Sequence, residues 1–404
     1  MAYEIWHMKK ILCLLALALL ATALQACKSE NAKSDPIAPS SAQNQASPQP
    51  DSQQPDETVV AAPSEFKGVL FGSIDDKHAV RMELERKGAD LTGGYYYERA
   101  GAFSAATRAL ELKGRIDGDG NVTLTETAYK AGNPLKTGEF KGKLDGLSAN
   151  GDLRLRFSGS WTGAKDGKQM PFSLLQLRFD LGGLKLGEKK EKSENKKSRY
   201  EIETALPQLA GADSARVEKF NRAVTNLVAP RTGEFRKDVE DQAREEAAAK
   251  PETKSPPPPS FMEVGYEVTA AGKDFISVLF TFYGYMSGAA HPNTSTESFN
   301  YDLNRNAPVR LAELFTPNSN YLKEISDYAI RELKKVETAS WVENGAGPKI
   351  ENFHSWNITH LGLKITFDNY QVGPYAAGPH EVVVPYSVLK PIIKPDGLLA
   401  QFAK

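Results

Sequence analysis

The feature that most constrains this chain is a series of eight short β-type segments between residues 64 and 186. They recur at intervals of roughly 10–15 residues and are separated by glycine-rich turns. Apolar and polar residues alternate in residues 110–113 and 153–157, a pattern typical of strands with one buried face and one wet face. Because such short connections join antiparallel neighbours, the sequence predicts an antiparallel β meander, closed as a barrel or stacked as a sandwich.

The charges of the chain nearly cancel, since 50 Lys and Arg residues stand against 51 Asp and Glu residues in a total of 404. Nucleic-acid-binding proteins normally carry a basic excess, so a nucleic-acid partner is disfavoured. The two cysteines, Cys13 and Cys27, both lie within the first 27 residues. The rest of the chain therefore forms neither a disulfide nor a thiolate metal site.

The first 27 residues have the order of features of a targeting signal. Two lysines precede an apolar run of 14 residues (11–24), shorter than the about 20 residues that cross a bilayer. The run ends in Leu-Gln-Ala-Cys, which resembles the lipobox of bacterial lipoproteins. The resemblance implies cleavage between Ala26 and Cys27 and acylation of Cys27 by groups such as palmitate. The mature chain is then expected to be anchored to a membrane without spanning it.

Lys28 follows the cysteine, and in Gram-negative lipoproteins this favours the outer membrane. The expected location is the cell envelope, facing the periplasm or the cell surface. The alternative is an ordinary secretory signal whose cysteine is accidental.

Two further segments are predicted to lack a packed structure. Residues 28–63 are rich in Ser, Pro, Gln and Asp and nearly free of aromatic residues, which predicts a disordered tether. Residues 187–199 contain six basic and three acidic side chains and no large apolar one, which predicts a solvated linker. This linker is taken as the boundary between a β domain at 64–186 and a C-terminal domain at 200–404.

The C-terminal domain has mixed patterning. Asp213 or Ser214 is predicted to cap an amphipathic helix that Pro230 ends. Residues 261–269 and 275–285 are predicted to form a hairpin, and residues 322–336 a helix. The fold class is therefore α+β with an antiparallel sheet, not a doubly wound dinucleotide fold.

A series of motifs in this domain carries a family resemblance. In order they are FYGYMSGAAHPNT at 282–294, FNYDL at 299–303, LAELF at 311–315 and VGPYAAGPHEVVVPY at 372–386. Together they resemble the C-terminal extracellular domain of RsiV-type anti-sigma factors, which also accompanies PdaC-type polysaccharide deacetylases. The resemblance covers residues 198–400, although the Gly-Gly-Ala-His usual in the family is replaced here by Ser-Gly-Ala-Ala-His at 287–291.

This resemblance implies a non-catalytic envelope domain. In anti-sigma relatives the domain is similar to a lysozyme receptor, and in deacetylase relatives it sits beside a separate catalytic domain. A binding role is therefore expected here, with a cell-wall glycan or a lysozyme-like protein as partner.

Two loops, 283–294 and 370–380, are the predicted ligand-binding surface. Both are rich in Gly, Ala, Tyr, Pro and His, so backbone can approach a ligand closely while aromatic rings supply contact area. The candidate binding residues are Tyr283, Tyr285, His291, Tyr370, Tyr375 and His380. The alternative interpretation is that the glycines permit sheet bulges and the tyrosines belong to the core.

Enzymatic chemistry has weaker support. No G-x-S-x-G, P-loop or H-E-x-x-H string occurs, and the serine-to-lysine spacing at 387–390 lacks its partner motifs. Four histidines lie within 90 residues and are candidates to converge on zinc with Glu351 or Glu381, but their spacing matches no known motif: His291, His354, His360 and His380. We therefore predict no catalytic residue, no metal and no cofactor.

The predicted function is non-catalytic binding by a lipid-anchored envelope protein. The runner-up is a peptidoglycan-modifying hydrolase that uses His291 or His380 with a nearby carboxylate. A third interpretation is a structural spacer that binds nothing.

Overall fold

The computed structural model describes residues 57–98, 100–104, 110–130, 133–149, 152–248 and 257–402. The predicted signal, its Ala26–Cys27 junction and the tether up to residue 56 lie outside the described residues. The chain divides into two compact units. The first takes the described parts of Met1–Lys77, Met82–Tyr95 and Leu110–Gln176, and the second those of His78–Arg81, Tyr96–Ala109 and Leu177–Lys404.

The first sheet is a closed barrel of eight antiparallel strands. Strands β8-β7-β6-β4-β3-β2-β10-β9 follow one another around the barrel, and pairing of β9 with β8 closes it. The predicted antiparallel meander is confirmed, in its barrel form. β1 pairs with this sheet outside the closed ring, and β5 (Gly101–Ser104) belongs to another sheet. The strands of the first sheet are β1 (Thr58–Ala61), β2 (Glu65–Ile74), β3 (His78–Lys87), β4 (Asp90–Tyr97), β6 (Leu110–Ile116), β7 (Asn121–Lys130), β8 (Asn133–Ala149), β9 (Asp152–Gly163) and β10 (Gln169–Gln176).

Close strand contact and aromatic packing shape the barrel. Gly142 and Gly159 face each other across β8 and β9, and a Cβ on either would lie 2.1 Å from a carbonyl oxygen of the opposite strand. Inside, the ring of Phe172 lies 5.1 Å from Phe140 and 4.7 Å from Phe157. These rings fill the interior of a barrel of this size with side chains.

The predicted tether was too long at its C-terminal end. Residues 58–61 form β1, which pairs with β8 through Thr58↔Ser148 to Ala61↔Asp145. The reason is the length of β8, whose 17 residues extend beyond its pairing with β7 and leave an edge to which β1 adds.

The second sheet has six strands and carries one long helix. Its order is β11-β12-β13-β14-β15-β16, and only β12 and β13 are parallel. Helix α1 connects that parallel pair, and its buried Phe220, Val224 and Val228 pack on one face of the sheet. The elements are β11 (Lys185–Asn195), β12 (Tyr200–Ala210), α1 (Ser214–Ala248), β13 (Ser260–Gly272), β14 (Phe275–Tyr285), β15 (Asn293–Asp302) and β16 (Ala307–Pro308).

The predicted charged linker at 187–199 was wrong. Most of it forms β11, an edge strand that pairs with β12. The mixed charges pair across the strands, since Lys192 Nζ lies 2.9 Å from Glu201 and 3.0 Å from Glu203. Exposed charges of this kind also prevent a sheet edge from pairing with other chains.

The start of helix α1 was predicted correctly, whereas its predicted end at Pro230 was wrong. Asp213 Oδ1 accepts a hydrogen bond from the Arg216 N–H at 3.0 Å, as an N-cap residue does. The helix continues through Pro230 for 35 residues in total. The apolar side chains beyond the proline explain this, because Phe235 and Val239 are buried against β12. None of the helices in the described part of the chain is both long and apolar enough to cross a membrane.

The third sheet has four strands, in the order β17-β18-β19-β5. Helix α2 and the short helices α3 and α4 contribute to an apolar core on one face of this sheet. The α+β prediction for this region is confirmed. The elements are α2 (Tyr321–Leu333), α3 (Val342–Gly345), β17 (Trp356–Ile358), β18 (Gly362–Phe367), β19 (His380–Pro385) and α4 (Tyr386–Leu389), with 3₁₀ turns at Ile350–Phe353 and Tyr375–Ala377.

A buried polar layer joins the second and third sheets. Ser277 Oγ donates to Asn300 Oδ1 at 2.6 Å and accepts from Thr269 Oγ1 at 2.9 Å. It also accepts from Asn357 Nδ2 at 3.1 Å and from the Ile358 N–H at 3.0 Å. Because these groups lack access to water, their mutual hydrogen bonds fix β17 against β13–β15.

Candidate functional site

Tyr370 is presented outward from the turn that follows β18. Its φ angle is +68°, a left-handed conformation that is costly for a bulky residue, and its side chain is 59% exposed. Two hydrogen bonds hold the turn in place: Trp341 Nε1 donates to the Tyr370 carbonyl at 2.8 Å, and the Asp368 N–H donates to Gln371 Oε1 at 3.1 Å. The ring is therefore displayed by a fixed backbone.

The two predicted loops meet beside Tyr370. The ring of Tyr375 stacks on His291 with centroids 4.1 Å apart and lies 5.6 Å from the ring of Tyr370. The Tyr375 hydroxyl donates to the Pro292 carbonyl, and His291 Nδ1 lies 2.9 Å from the same oxygen. We refer to His291, Trp341, Tyr370 and Tyr375 as the aromatic platform.

Trp341 is the member of the platform that the sequence analysis missed. It precedes α3, and its side chain is 41% exposed. The available signal was a tryptophan in a polar stretch just before a glycine-containing segment, residues 345–347. Such a position favours exposure, but only the folded chain brings it to Tyr370.

Gln371 ties the two segments of the platform together. Its Nε2 donates to the carbonyls of Gly345 and Asn352, each at 2.9 Å. The approach at Gly345 is so close that a Cβ there would lie 1.8 Å from the Gln371 carbonyl oxygen. Glycine is therefore required at this position for Trp341 and Tyr370 to be neighbours.

His354 and Asp368 form an ion pair at the base of the Tyr370 turn. His354 Nε2 lies 3.4 Å from Asp368 Oδ2, and its Nδ1 lies 3.1 Å from the Glu351 carbonyl oxygen. Asp368 Oδ1 accepts from the N–H and the hydroxyl of Thr296, at 3.0 and 2.8 Å. The hydrogen bond to Asp368 is the main reason that the pKa of His354 is raised, and both ring nitrogens face acceptors, as suits the charged imidazolium.

His380, a predicted binding residue, is not available to a ligand on this surface. It is 1% exposed on β19, with Nε2 3.0 Å from Thr338 Oγ1. Burial lowers its pKa and so favours the neutral ring. Gly373 covers it, since a Cβ at that glycine would lie 3.0 Å from His380 Cε1.

Tyr283 and Tyr285 lie outside the platform, on β14. Their rings pack beside Phe261 of β13, with centroid distances of 5.4 and 6.0 Å. All three side chains are half-buried. The alternation along β14 directs these tyrosines away from helix α1, because Phe280 and Phe282 face its core.

The four histidines of the C-terminal region do not share one site. His291 contacts Tyr375, His354 contacts Asp368, His360 lies 3.0 Å from Glu98, and His380 contacts Thr338. Within the described ranges, no group of three or more His, Cys, Asp or Glu side chains is arranged to hold a metal ion.

Comparison with known proteins finds two family models in the second unit. Residues 193–294 match the family described as "Deacetylase PdaC", and residues 312–387 match "Protein of unknown function (DUF3298)". The chain is 28% identical over 181 residues to the peptidoglycan-N-acetylmuramic acid deacetylase PdaC of Bacillus subtilis. The match covers 44% of this chain and 37% of that protein, so the chain spans little more than a third of this relative.

Two solved structures of DUF3298 proteins are also similar. One, from Bacteroides fragilis, has a TM-score of 0.44 at 17% identity and covers 55% of this chain and 98% of its own. The other, from Pseudomonas aeruginosa, has a TM-score of 0.34 at 14% identity and covers 52% of this chain and 94% of its own. The sequence matches confirm the resemblance proposed from the motifs: residues 193–294 are similar to the PdaC family and residues 312–387 to the DUF3298 family.

Proposed function

We propose that this protein binds a cell-wall glycan without chemically altering it, and that the aromatic platform is the binding surface. A sugar ring has a face of C–H groups that packs on an aromatic ring, and its hydroxyls hydrogen-bond to the polar tips of Tyr, Trp and His. The link to the cell wall comes from the PdaC relative, whose name states that it acts on peptidoglycan.

The observation that carries the proposal is the conformation of Tyr370. A bulky residue with φ of +68° and 59% exposure costs folding free energy and buries little surface in return. Strain of this kind persists where surrounding contacts enforce it, and it concentrates at binding sites. The hydrogen bond from Trp341 to the Tyr370 carbonyl supplies such a contact and brings a second exposed ring to the Tyr370 backbone.

The surroundings of the platform support binding more than catalysis. Both ring nitrogens of His354 already face acceptors, so neither is placed to take a proton from a substrate. His291 has one nitrogen against the Pro292 carbonyl and its ring face against Tyr375. A binding surface needs no such base, whereas the hydrolase alternative requires one.

The proposal includes the location of the protein. Acylation of Cys27 after cleavage at Ala26 would hold the folded units on the outer membrane, facing the periplasm or the cell surface. A flexible tether of about 30 residues has an average end-to-end distance of about 30 Å. The folded units would then reach the wall at about this distance from the lipid.

The test is a calorimetric titration of the full chain with peptide-free peptidoglycan glycan strands. We expect saturable binding that weakens about two- to tenfold in Trp341→Ala and in Tyr370→Ala, since each removes an exposed stacking ring worth about 0.5–1.5 kcal/mol. The matched control is Tyr129→Ala, which removes a 42% exposed tyrosine from barrel strand β7 and should leave binding unchanged.

Four outcomes would contradict the proposal. Absence of saturable binding would refute it, and so would equal losses in Tyr129→Ala and Tyr370→Ala. Binding of lysozyme but not of glycan would replace the sugar by a protein partner. Release of acetate or of new reducing ends during the titration would favour the hydrolase alternative.

A further inference from the structure

We infer that the binding surface continues from the aromatic platform onto β13 and β14, so that the ligand is an extended glycan strand of several sugars. This inference rests on the proposed function and makes it more specific. The residues that carry it are Phe261, Tyr283 and Tyr285, which we call the strand cluster.

The strand cluster is a second set of rings with the character of a binding surface. Phe261 stacks on Tyr285 with the ring planes 28° apart and the centroids 6.0 Å apart, and Tyr283 completes the cluster. The rings are half-buried, and they are not among the buried residues of the cores around helices α1 and α2. Three large aromatic rings have therefore been placed on a sheet face without being enclosed by a core.

The start of β15 and the residues just before it connect this cluster to the platform. Tyr283 is the register partner of Thr294 on β15, and neighbouring strands lie about 4.8 Å apart. Pro292, two residues before Thr294, receives the hydroxyl of Tyr375. The Thr294 carbonyl itself accepts from Asn369 Nδ2 at 3.2 Å, and Asn369 directly precedes Tyr370.

The loop between the two sets of rings is also fastened. The Ser287 N–H donates to the buried Ser260 hydroxyl at 2.9 Å, and the Ser287 carbonyl accepts from Gln242 Nε2 at 2.9 Å. The segment that leads from Tyr285 to His291 is therefore tied to β13 and to helix α1. The segments that carry the two sets of rings are therefore fixed before any ligand arrives, which reduces the entropy lost on binding.

Two sets of rings on connected segments fit a polymer. A single sugar covers one or two rings, whereas a glycan chain repeats its apolar faces along its length. Each additional sugar that reaches the strand cluster adds contact area without a new loss of translational freedom, so affinity should rise with chain length.

The test measures the affinity of the full chain for N-acetylglucosamine oligomers of two, four and six units. For the native sequence we expect at least a tenfold gain from dimer to hexamer. The double variant Tyr283→Ala/Tyr285→Ala should lose this gain and keep the affinity for the dimer. Tyr285→Phe should keep the gain because it keeps the ring, and Trp341→Ala should weaken binding at every length.

The outcomes separate this inference from the proposed function. No binding at any length would refute the inference, whereas the proposed function is tested separately by the titration with peptidoglycan glycan strands. Binding by the native chain without length dependence, or with a length gain that the double variant retains, would refute the inference alone. Circular dichroism of the double variant checks that lost binding is not lost folding.

Discussion

Replacement of Gly345 by alanine should disrupt the junction that places Trp341 beside Tyr370. The added Cβ would lie 1.8 Å from the Gln371 carbonyl oxygen, 2.7 Å from its carbon and 2.8 Å from Val372 Cγ1. Two of these atoms are backbone, and Val372 is fully buried, so no flexible side chain can move aside. Either the end of α3 or the Tyr370 turn must shift.

The expected loss of folding stability has two sources. Overpacking of this kind destabilises by about 1–3 kcal/mol. The shift also breaks the Gln371 Nε2 bond to the Gly345 carbonyl, worth about 0.5–1.5 kcal/mol. A loss of about 2–4 kcal/mol should lower the melting temperature of a unit of this size by about 5–15 °C.

Differential scanning calorimetry of the full chain measures the melting temperature, and Gly233→Ala is the control variant. Gly233 lies in helix α1 with no atom within 4 Å of an added Cβ, so the same chemical change should stabilise the helix by about 0.5–1 kcal/mol. Glycan binding should weaken in Gly345→Ala and be unchanged in Gly233→Ala. A Gly345→Ala protein that melts and binds like the native chain would refute the reasoning.

Two further predictions concern the ion pair and the polar layer. The pKa of His354 is raised above the ordinary histidine value of about 6.5, mainly by the hydrogen bond to Asp368, so the contribution of this pair to stability is full below that value and is lost as pH rises through the folded-state pKa. His354→Gln should therefore show a flatter melting temperature between about pH 6 and 8 than the native chain, and identical slopes would contradict this. Ser277→Ala removes the acceptor of the Ile358 N–H and the donor to Asn300 Oδ1, at about 1–3 kcal/mol for each buried group left unsatisfied, so chemical denaturation should show a loss of at least about 2 kcal/mol. Ser298→Ala, which removes a partly exposed hydroxyl that donates to the His354 carbonyl, should change stability little; similar losses in both variants would argue against a special role for the layer.

The sequence predicted local structure well where one pattern dominates. Alternation and glycine turns identified the barrel strands, and the Asp213 cap identified the start of α1. The errors arose where tertiary contacts override local preference. Pro230 removes one helical hydrogen bond, but burial of Phe235 farther along carries the helix past it.

The candidate site shows the same division. The composition of the two loops placed His291, Tyr370 and Tyr375 among six candidate binding residues, and these three rings are neighbours in the structure, although their role as a ligand site stays a prediction. It could not separate His380 from them, since aromatic and glycine content says nothing about which residue a neighbouring segment covers. Nor did it identify Trp341, whose partner is 29 residues away in the chain.

By itself, the sequence determined the antiparallel β and α+β organisation, because hydrophobic period and turn residues act over a few positions. It also supplied the motifs that resemble those of RsiV-type and PdaC-type proteins. Only the tertiary structure decided which strand edges are paired, which polar residues are buried between sheets, and which aromatic rings face solvent. These features depend on contacts between residues far apart in the chain. A hydrophobic repeat of 2 residues in a strand or 3.6 in a helix identifies the apolar face of the element, but not which other element covers that face.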